Sequence, residues 1–127
     1  MAAKSAEKKN RGKIAVVEET SDNIYSLRFI LQSLGYEILS VSMFEPMVKQ
    51  LALFQPSVVL VDMLIPNNGG FEVIKLLKHK PIEGITFVAI TADAVGVSVE
   101  ELKASGFDAV LEKPFSVTEM QGILNGE

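Results

Sequence analysis

The chain has 127 residues, of which 48% are hydrophobic, and it carries a net charge of −4 and no cysteine. Its length suits one domain with its own core, and the lack of cysteine excludes disulfides, thiolate metal sites and cysteine nucleophiles. We expect a soluble cytoplasmic protein with neither a membrane nor a nucleic-acid partner, because no apolar run approaches the roughly 20 residues of a membrane span, no secretory signal is visible and the charge is acidic.

The first twelve residues differ in composition from the rest. Residues 1–12 carry four cations against the single acid Glu7, a net charge of +3, which leaves −7 for the remaining chain. This composition predicts a disordered basic tail over residues 1–12 and one folded domain over residues 13–127. A basic docking arm is the alternative, and no other feature of the sequence supports it.

Beyond the tail, short apolar runs alternate with segments of helical periodicity. The runs predict five strands, at residues 13–17, 36–41, 58–61, 85–90 and 107–111. After each run, apolar residues recur at three- and four-residue spacing, which predicts five amphipathic helices. Strands that alternate with helices imply right-handed crossovers, so the predicted fold class is α/β with a doubly wound parallel sheet.

Turn and capping residues predict where the helices begin and end. The first helix is expected to start at the cap Thr20 and to close at Gly35, and the fourth is expected to close at Gly106. The second is predicted over residues 43–54, and the third after a glycine pair, with His79 past its end. Capping boxes predict the starts of the last two helices, at Ser98 with Glu101 and at Ser116 with Glu119.

The central apolar run, Val58–Val61, ends abruptly on the carboxylate Asp62. In open parallel sheets, ligands bind just beyond the carboxyl ends of the strands. The ends of other strands bring two glutamates, a threonine and a lysine to the same edge, namely Glu18, Glu19, Thr91 and Lys113. Helix N-terminal charge complementarity is the alternative interpretation of the glutamate pair. We expect all five side chains to form one site.

Three carboxylates at one edge require neutralisation. At about 4 Å and an effective dielectric constant near 20, each pair repels by about 4 kcal/mol. Three pairs amount to about 12 kcal/mol, which is comparable to the stability of a whole domain. One lysine cannot neutralise three carboxylates. Mg²⁺ can, because it prefers oxygen ligands, and it also bridges to phosphate oxygens. A carboxylate, Mg²⁺, a hydroxyl and a lysine around one position favour phosphoryl transfer.

Four motifs in this order resemble the receiver domain of response regulators, the phospho-accepting half of two-component signalling. They are the acid pair Glu18–Glu19, Asp62 in the segment DMLIPNNGG, TADA at Thr91 and KPF at Lys113. The resemblance extends from about Lys13 to the C-terminus. It implies a flavodoxin-like fold, with a five-stranded parallel sheet in the order 2-1-3-4-5 and five helices.

The resemblance also implies a mechanism. Asp62 would accept a phosphoryl group from a histidine kinase or a histidine phosphotransfer protein, Thr91 would hydrogen-bond that group, and Lys113 would pair with it. A cis bond between Lys113 and Pro114 would aim the lysine. The domain would catalyse only its own phosphorylation and dephosphorylation and is not expected to be a conventional enzyme. It would signal to a downstream protein through the fourth helix, the fifth strand and the fifth helix.

For the metal, the resemblance implies Mg²⁺ bound by Glu19, Asp62 and the backbone carbonyl of Leu64, with Glu18 acting through water. The sequence departs from the family pattern at this site, because both members of the acid pair are glutamates, one methylene longer than aspartate. Gly69 stands where the family usually has aspartate. Leu64 stands where a polar side chain could have steered water.

The fifth strand carries a further departure, since Val110 replaces the aromatic residue that the family uses as a switch. Among proteins of related topology, a flavodoxin would need a phosphate loop where Glu18–Glu19 stands, and a P-loop enzyme would need the motif GxxxxGK[ST], which is absent. A haloacid-dehalogenase-type phosphatase would need an aspartate in place of Leu64. The alternative that stays open is a pseudo-receiver, a docking module of the same fold that is not phosphorylated.

Overall fold

The computed structural model describes residues 12–18, 21–41, 47–65, 69–79, 84–92 and 96–125, with the side chains of residues 21–26 excepted. Within these ranges, five strands alternate with five helices. The strands are β1 Lys13–Val17, β2 Glu37–Val41, β3 Val58–Asp62, β4 Thr86–Thr91 and β5 Ala109–Glu112. The helices are α1 Ser21–Ser33, α2 Met47–Phe54, α3 Gly69–His79, α4 Val99–Ala104 and α5 Val117–Leu124.

All strand pairs are parallel, and the sheet order is β2-β1-β3-β4-β5, as expected from the resemblance. The register aligns the carboxyl ends of neighbouring strands, since Val17 of β1 lies opposite Val61 of β3, and Asp62 lies opposite Ile90 of β4. Polar residues at or just after these positions therefore meet at one edge of the sheet.

The two faces of the sheet are covered by different helices. Every residue of β3 is buried, as its continuous apolar run predicts for a central strand. On one face, buried side chains of α2, α3 and α4 pack on the sheet; they include Met47, Leu51, Val73, Ile74, Leu77 and Leu102. On the other face the packing comes from α1 and α5, through Leu27, Leu31 and Met120. The sheet is thus doubly wound, as predicted.

The predicted ends of α1 and α4 are confirmed. Gly35 and Gly106 have φ angles of 98° and 118°, a region that glycine enters without steric cost. Phe107 was predicted to open the fifth strand, but its N–H donates to the carbonyl of Leu102 at 3.3 Å and closes α4. For this reason β5 begins only at Ala109.

The start of α3 differs from the prediction. Gly69 and Gly70 were expected in a loop, but they are buried in the first turn of the helix, and His79 is its last residue rather than lying past its end. A Cβ atom at Gly70 would lie 2.5 Å from Sδ of Met63, so the glycine leaves room for that side chain. The helix can therefore begin close to the end of β3.

One of the two predicted capping boxes is complete. Ser116 and Glu119 exchange both hydrogen bonds at the start of α5. At α4, the Ser98 hydroxyl accepts from the Glu101 N–H at 3.1 Å, but the Glu101 carboxylate accepts from that hydroxyl rather than from the backbone. This second box is therefore only half formed.

Several predicted features lie outside the described residues. They are residues 1–11 of the tail, Glu19 and the cap Thr20, residues 43–46 of the second helix, the loop Pro66–Asn68 and Asp93. In the part of the chain that is described, no helix is long and apolar enough to cross a membrane.

Candidate functional site

Asp62, the last residue of β3, is held by two hydrogen bonds. Its side chain is buried, with 2% of the residue exposed. The Oδ1 atom accepts from the backbone N–H of Leu64 at 2.9 Å, and Oδ2 lies 3.3 Å from Nζ of Lys113. Because one bond comes from the following loop and the other from a different strand end, the orientation of the carboxylate is defined.

Lys113 reaches this carboxylate from the residue after β5. Its backbone N–H donates to the carbonyl of Thr91 at 2.7 Å, which ties the lysine to the end of β4. The Lys113–Pro114 peptide bond is cis, so the prediction from the resemblance is confirmed. The side chain of Lys113 is 22% exposed, which leaves its ammonium group accessible beside a buried carboxylate.

Thr91 ends β4 next to the Asp62 strand. It is 5% exposed, and its Oγ1 atom has no hydrogen-bond partner among the described residues. Nearby, the N–H of Met63 donates to the carbonyl of Ile90 at 2.8 Å and fastens the end of β3 to β4. Because a buried hydroxyl normally forms a hydrogen bond, the Thr91 hydroxyl is a candidate to bond a group that binds in this site.

Glu18 supplies a second carboxylate to the same edge. It follows β1 and is 2% exposed, and its N–H donates to the carbonyl of Val41 at 3.3 Å. Since Val17 and Val61 are paired in the sheet, Glu18 and Asp62 occupy equivalent positions on adjacent strands. Two buried acidic side chains, Glu18 and Asp62, therefore lie at this edge of the sheet, and Lys113 pairs with Asp62.

The chemistry of these donors suits a hard cation. Glu18 and Asp62 offer only oxygen atoms, the ligands that Mg²⁺ prefers. The described residues hold no group of three histidine, cysteine, aspartate or glutamate side chains that would surround a metal. The third predicted acid, Glu19, lies outside them. The side chain of Leu64 is 45% exposed, so this residue borders solvent beside Asp62.

One polar contact of the site was missed in the sequence. The backbone N–H of Leu64 is a direct partner of Asp62, although Leu64 was considered only for its carbonyl and its side chain. The local signal was available, because aspartate often bonds to a backbone N–H two residues on and so starts a turn. The sequence contained no comparable signal for the contact between Met63 and Gly70.

Comparisons with known proteins identify the family of the chain. A family model described as "Response regulator receiver domain" matches residues 14–125, so the chain belongs to the response-regulator receiver family. The polar-differentiation response regulator DivK of Brucella ovis is 28% identical over 105 residues, which cover 82% of this chain and 85% of DivK. The predicted family is thereby confirmed.

Solved structures show the same fold. The N-terminal domain of the nisin resistance regulator NsrR superposes with a TM-score of 0.78 at 28% identity, covering 92% of this chain and 97% of that domain. The receiver domain of the sensor histidine kinase PA1611 from Pseudomonas aeruginosa PAO1 gives a TM-score of 0.71 at 25% identity, covering 91% and 95%. That structure has a magnesium ion coordinated in its active-site cleft.

Proposed function

We propose that this receiver domain takes a phosphoryl group onto Asp62 from the phosphohistidine of a histidine kinase or a histidine phosphotransfer protein. An oxygen of Asp62 attacks the phosphorus atom, and the N–P bond breaks. The electron pair stays on the imidazole nitrogen, and the product is an aspartyl phosphate. The observation that carries the proposal is the buried Asp62 carboxylate at the end of the central strand, 3.3 Å from Nζ of Lys113.

Lys113 and Thr91 would stabilise the transferring group. The ammonium of Lys113 already lies beside Oδ2, so it can pair with the negatively charged phosphoryl oxygens during the transfer. The buried Thr91 hydroxyl has no partner among the described residues, so it can donate to a phosphoryl oxygen at little cost. These two donors come from the ends of β4 and β5, which lie on the same side of Asp62 in the sheet.

Mg²⁺ is the proposed cofactor. Glu18, Glu19, Asp62 and the carbonyl of Leu64 would hold it, and when bound it would neutralise charge on the acids and on the phosphoryl oxygens. The oxygen donors of Glu18 and Asp62, which are both buried at the ends of adjacent strands, support this assignment. The magnesium ion in the PA1611 receiver supports it as well.

The function is tested by intact-mass measurement after incubation with phosphoramidate and Mg²⁺. We expect one phosphoryl group per chain, and none when EDTA removes the metal. A protein that gains no mass under any of these conditions, although it is folded, would contradict the proposal and would favour a docking module that is not phosphorylated.

Leu64 is expected to prolong the life of the phosphoryl group. Its side chain is exposed at the mouth of the site and cannot orient a water molecule for attack on phosphorus. Leu64→Asn introduces such a group, and we expect hydrolysis to accelerate at least about tenfold, less than the ~10²–10⁴-fold effect of a true general base. The decay of the phosphorylated mass measures this rate. Leu64→Met is the control, and equal lifetimes in both variants would exclude a role for polarity here.

The output is proposed to pass to a downstream protein through α4, β5 and α5. Val110 on β5 is half-buried and packs against the same core cluster as Val97. A branched aliphatic side chain has few rotamers and no polar group, so it cannot exchange between buried and exposed positions as a switch residue would. The phosphoryl group can shift an equilibrium only through contacts that differ between two states.

We therefore expect activation to act on the segment from Thr91 to the start of α4. Backbone NMR shifts with and without beryllofluoride should change most in residues 92–97 and little at Val110 and in α5. Shift changes as large in α5 as in residues 92–97 would show that the signal spreads through β5 without an aromatic residue.

A further inference from the structure

An open groove follows α3 beside the turn that ends α4. Its volume is about 810 Å³, and none of the residues that line it belongs to the site around Asp62. The floor is apolar, with contributions from Phe71, Ile74 and Leu76. Leu76 is 40% exposed although it is a large hydrophobic residue. The volume lies within the ~300–1,000 Å³ of pockets that bind ligands.

The rim of the groove is basic. Among the described residues, its lining includes Lys75, Lys78 and His79 and the acid Glu72. The folded domain as a whole has the opposite sign, because residues 13–127, the groove included, carry a net charge of −7. A local basic rim on an acidic domain attracts carboxylates at short range, whereas the domain as a whole repels a polyanion such as nucleic acid.

Lys78 is already held in position at the groove. Its Nζ atom lies 4.8 Å from the ring centroid of the buried Phe87. A Cβ atom at Gly106 would lie 3.2 Å from Cε and 3.3 Å from Cγ of Lys78, so the stem of the lysine fills the space beside this glycine. An ordered side chain loses less conformational entropy when its ammonium pairs with a ligand, which favours binding.

A simpler explanation accounts for only part of the pattern. A cation in the last turn of a helix complements its dipole, and Lys78 occupies that turn of α3. That effect does not explain why Lys75 lies a turn earlier, or why Lys75 and Lys78 line the same groove as the exposed Leu76. Apolar anchors with a net charge around them are the features of a groove that binds an amphipathic segment.

We propose that the groove between α3 and the turn after α4 binds an acidic amphipathic segment of a partner protein. Large apolar side chains of the segment occupy the floor beside Leu76, and its carboxylates pair with Lys75 and Lys78. This surface is separate from the phosphoryl site and from the α4, β5 and α5 surface. Its occupancy does not depend on Asp62.

The test uses the complete chain and a fluorescein-labelled synthetic peptide of about 14 residues, roughly four helical turns. The peptide carries leucine and phenylalanine on one face and aspartate and glutamate on the other. Fluorescence anisotropy measures the affinity, and ¹⁵N chemical shifts locate the contact. We expect saturable binding with shifts concentrated in residues 71–79 and at Ser105, and no binding of a peptide with lysine at every acidic position.

Matched variants separate the groove from general electrostatics. Lys75→Glu should weaken binding about tenfold, because an attraction is replaced by a repulsion. Lys49→Glu makes the same charge change at an exposed position on α2 and should alter affinity less than about twofold. Leu76→Ala should weaken binding. Leu53→Ala, which truncates an exposed leucine on α2, should not. Asp62→Asn should bind as the parent does.

Three results would overturn the proposal. The first is an equal loss of affinity in Lys49→Glu and Lys75→Glu, which would indicate attraction without a site. The second is a set of shifts outside α3 and the turn after α4. The third is the absence of peptide binding together with cosedimentation on phosphatidylglycerol vesicles that Lys75→Glu abolishes, because the groove would then contact a membrane surface. The substitutions at Lys49, Leu53, Lys75 and Leu76 are at exposed positions, and Asp62→Asn preserves the shape of a buried side chain, so the variants are expected to fold.

Discussion

Asp62→Asn is expected to take no phosphoryl group from phosphoramidate, whereas the parent protein takes one. The amide nitrogen and oxygen of asparagine are far weaker nucleophiles than a carboxylate oxygen, so the covalent step is lost entirely. The substitution preserves the shape of the side chain, and its carbonyl oxygen can still accept the N–H of Leu64 that now bonds to Oδ1. Intact-mass measurement distinguishes the two proteins directly.

The matched control for this experiment is Glu100→Gln, which neutralises an exposed carboxylate in the first turn of α4. This variant should be labelled as fully as the parent. Circular dichroism should show that both variants keep the α/β fold. Full labelling of Asp62→Asn would show that another side chain accepts the phosphoryl group and would refute the assignment.

Lys113→Met is expected to slow phosphorylation by about 10²–10³-fold while leaving some labelling. Methionine keeps most of the length of the side chain and removes its charge. The ammonium now lies 3.3 Å from Oδ2, and no other cation is paired with this carboxylate among the described residues. Charge that develops on the phosphoryl oxygens would therefore lack its stabilising donor from the protein.

The rate is best measured as the initial increase of phosphorylated mass at saturating Mg²⁺. Lys103→Met, at an exposed position of α4, removes the same charge elsewhere and should leave the rate unchanged. Thermal unfolding of the variants should be followed in parallel, because Lys113 also pairs with the buried carboxylate of Asp62. A Lys113→Met protein that is labelled at the parental rate would remove the lysine from the mechanism.

The sequence by itself determined the alternation of strands and helices and the polar residues at the strand ends. Hydrophobic periodicity is a local property, and it does not depend on what the segment packs against. The run Val58–Val61 is apolar on both faces because β3 is central, and the structure buries every residue of it. Parallel crossovers then bring the ends of β1, β3, β4 and β5 to one edge, so the meeting of Asp62 with Lys113 could be expected.

Only the tertiary structure decided the contacts and boundaries that depend on distant residues. Asp62 and Lys113 are 51 positions apart, and neither the 3.3 Å contact nor the partnership with the Leu64 N–H follows from composition. Gly70 lies within α3 because Met63 fills the place of its missing side chain. Glycine can adopt both loop and helical conformations, so packing against Met63 decides that Gly70 is helical.

The groove on α3 also depends on contacts between distant residues. Nothing nearby in the chain shows that Gly106 and Phe87 lie against the side chain of Lys78. Such a surface is formed by elements that are far apart along the chain, and its charge and shape exist only after the helices have packed on the sheet. Local sequence patterns predict the helices and strands, whereas the surfaces between them form only in the folded molecule.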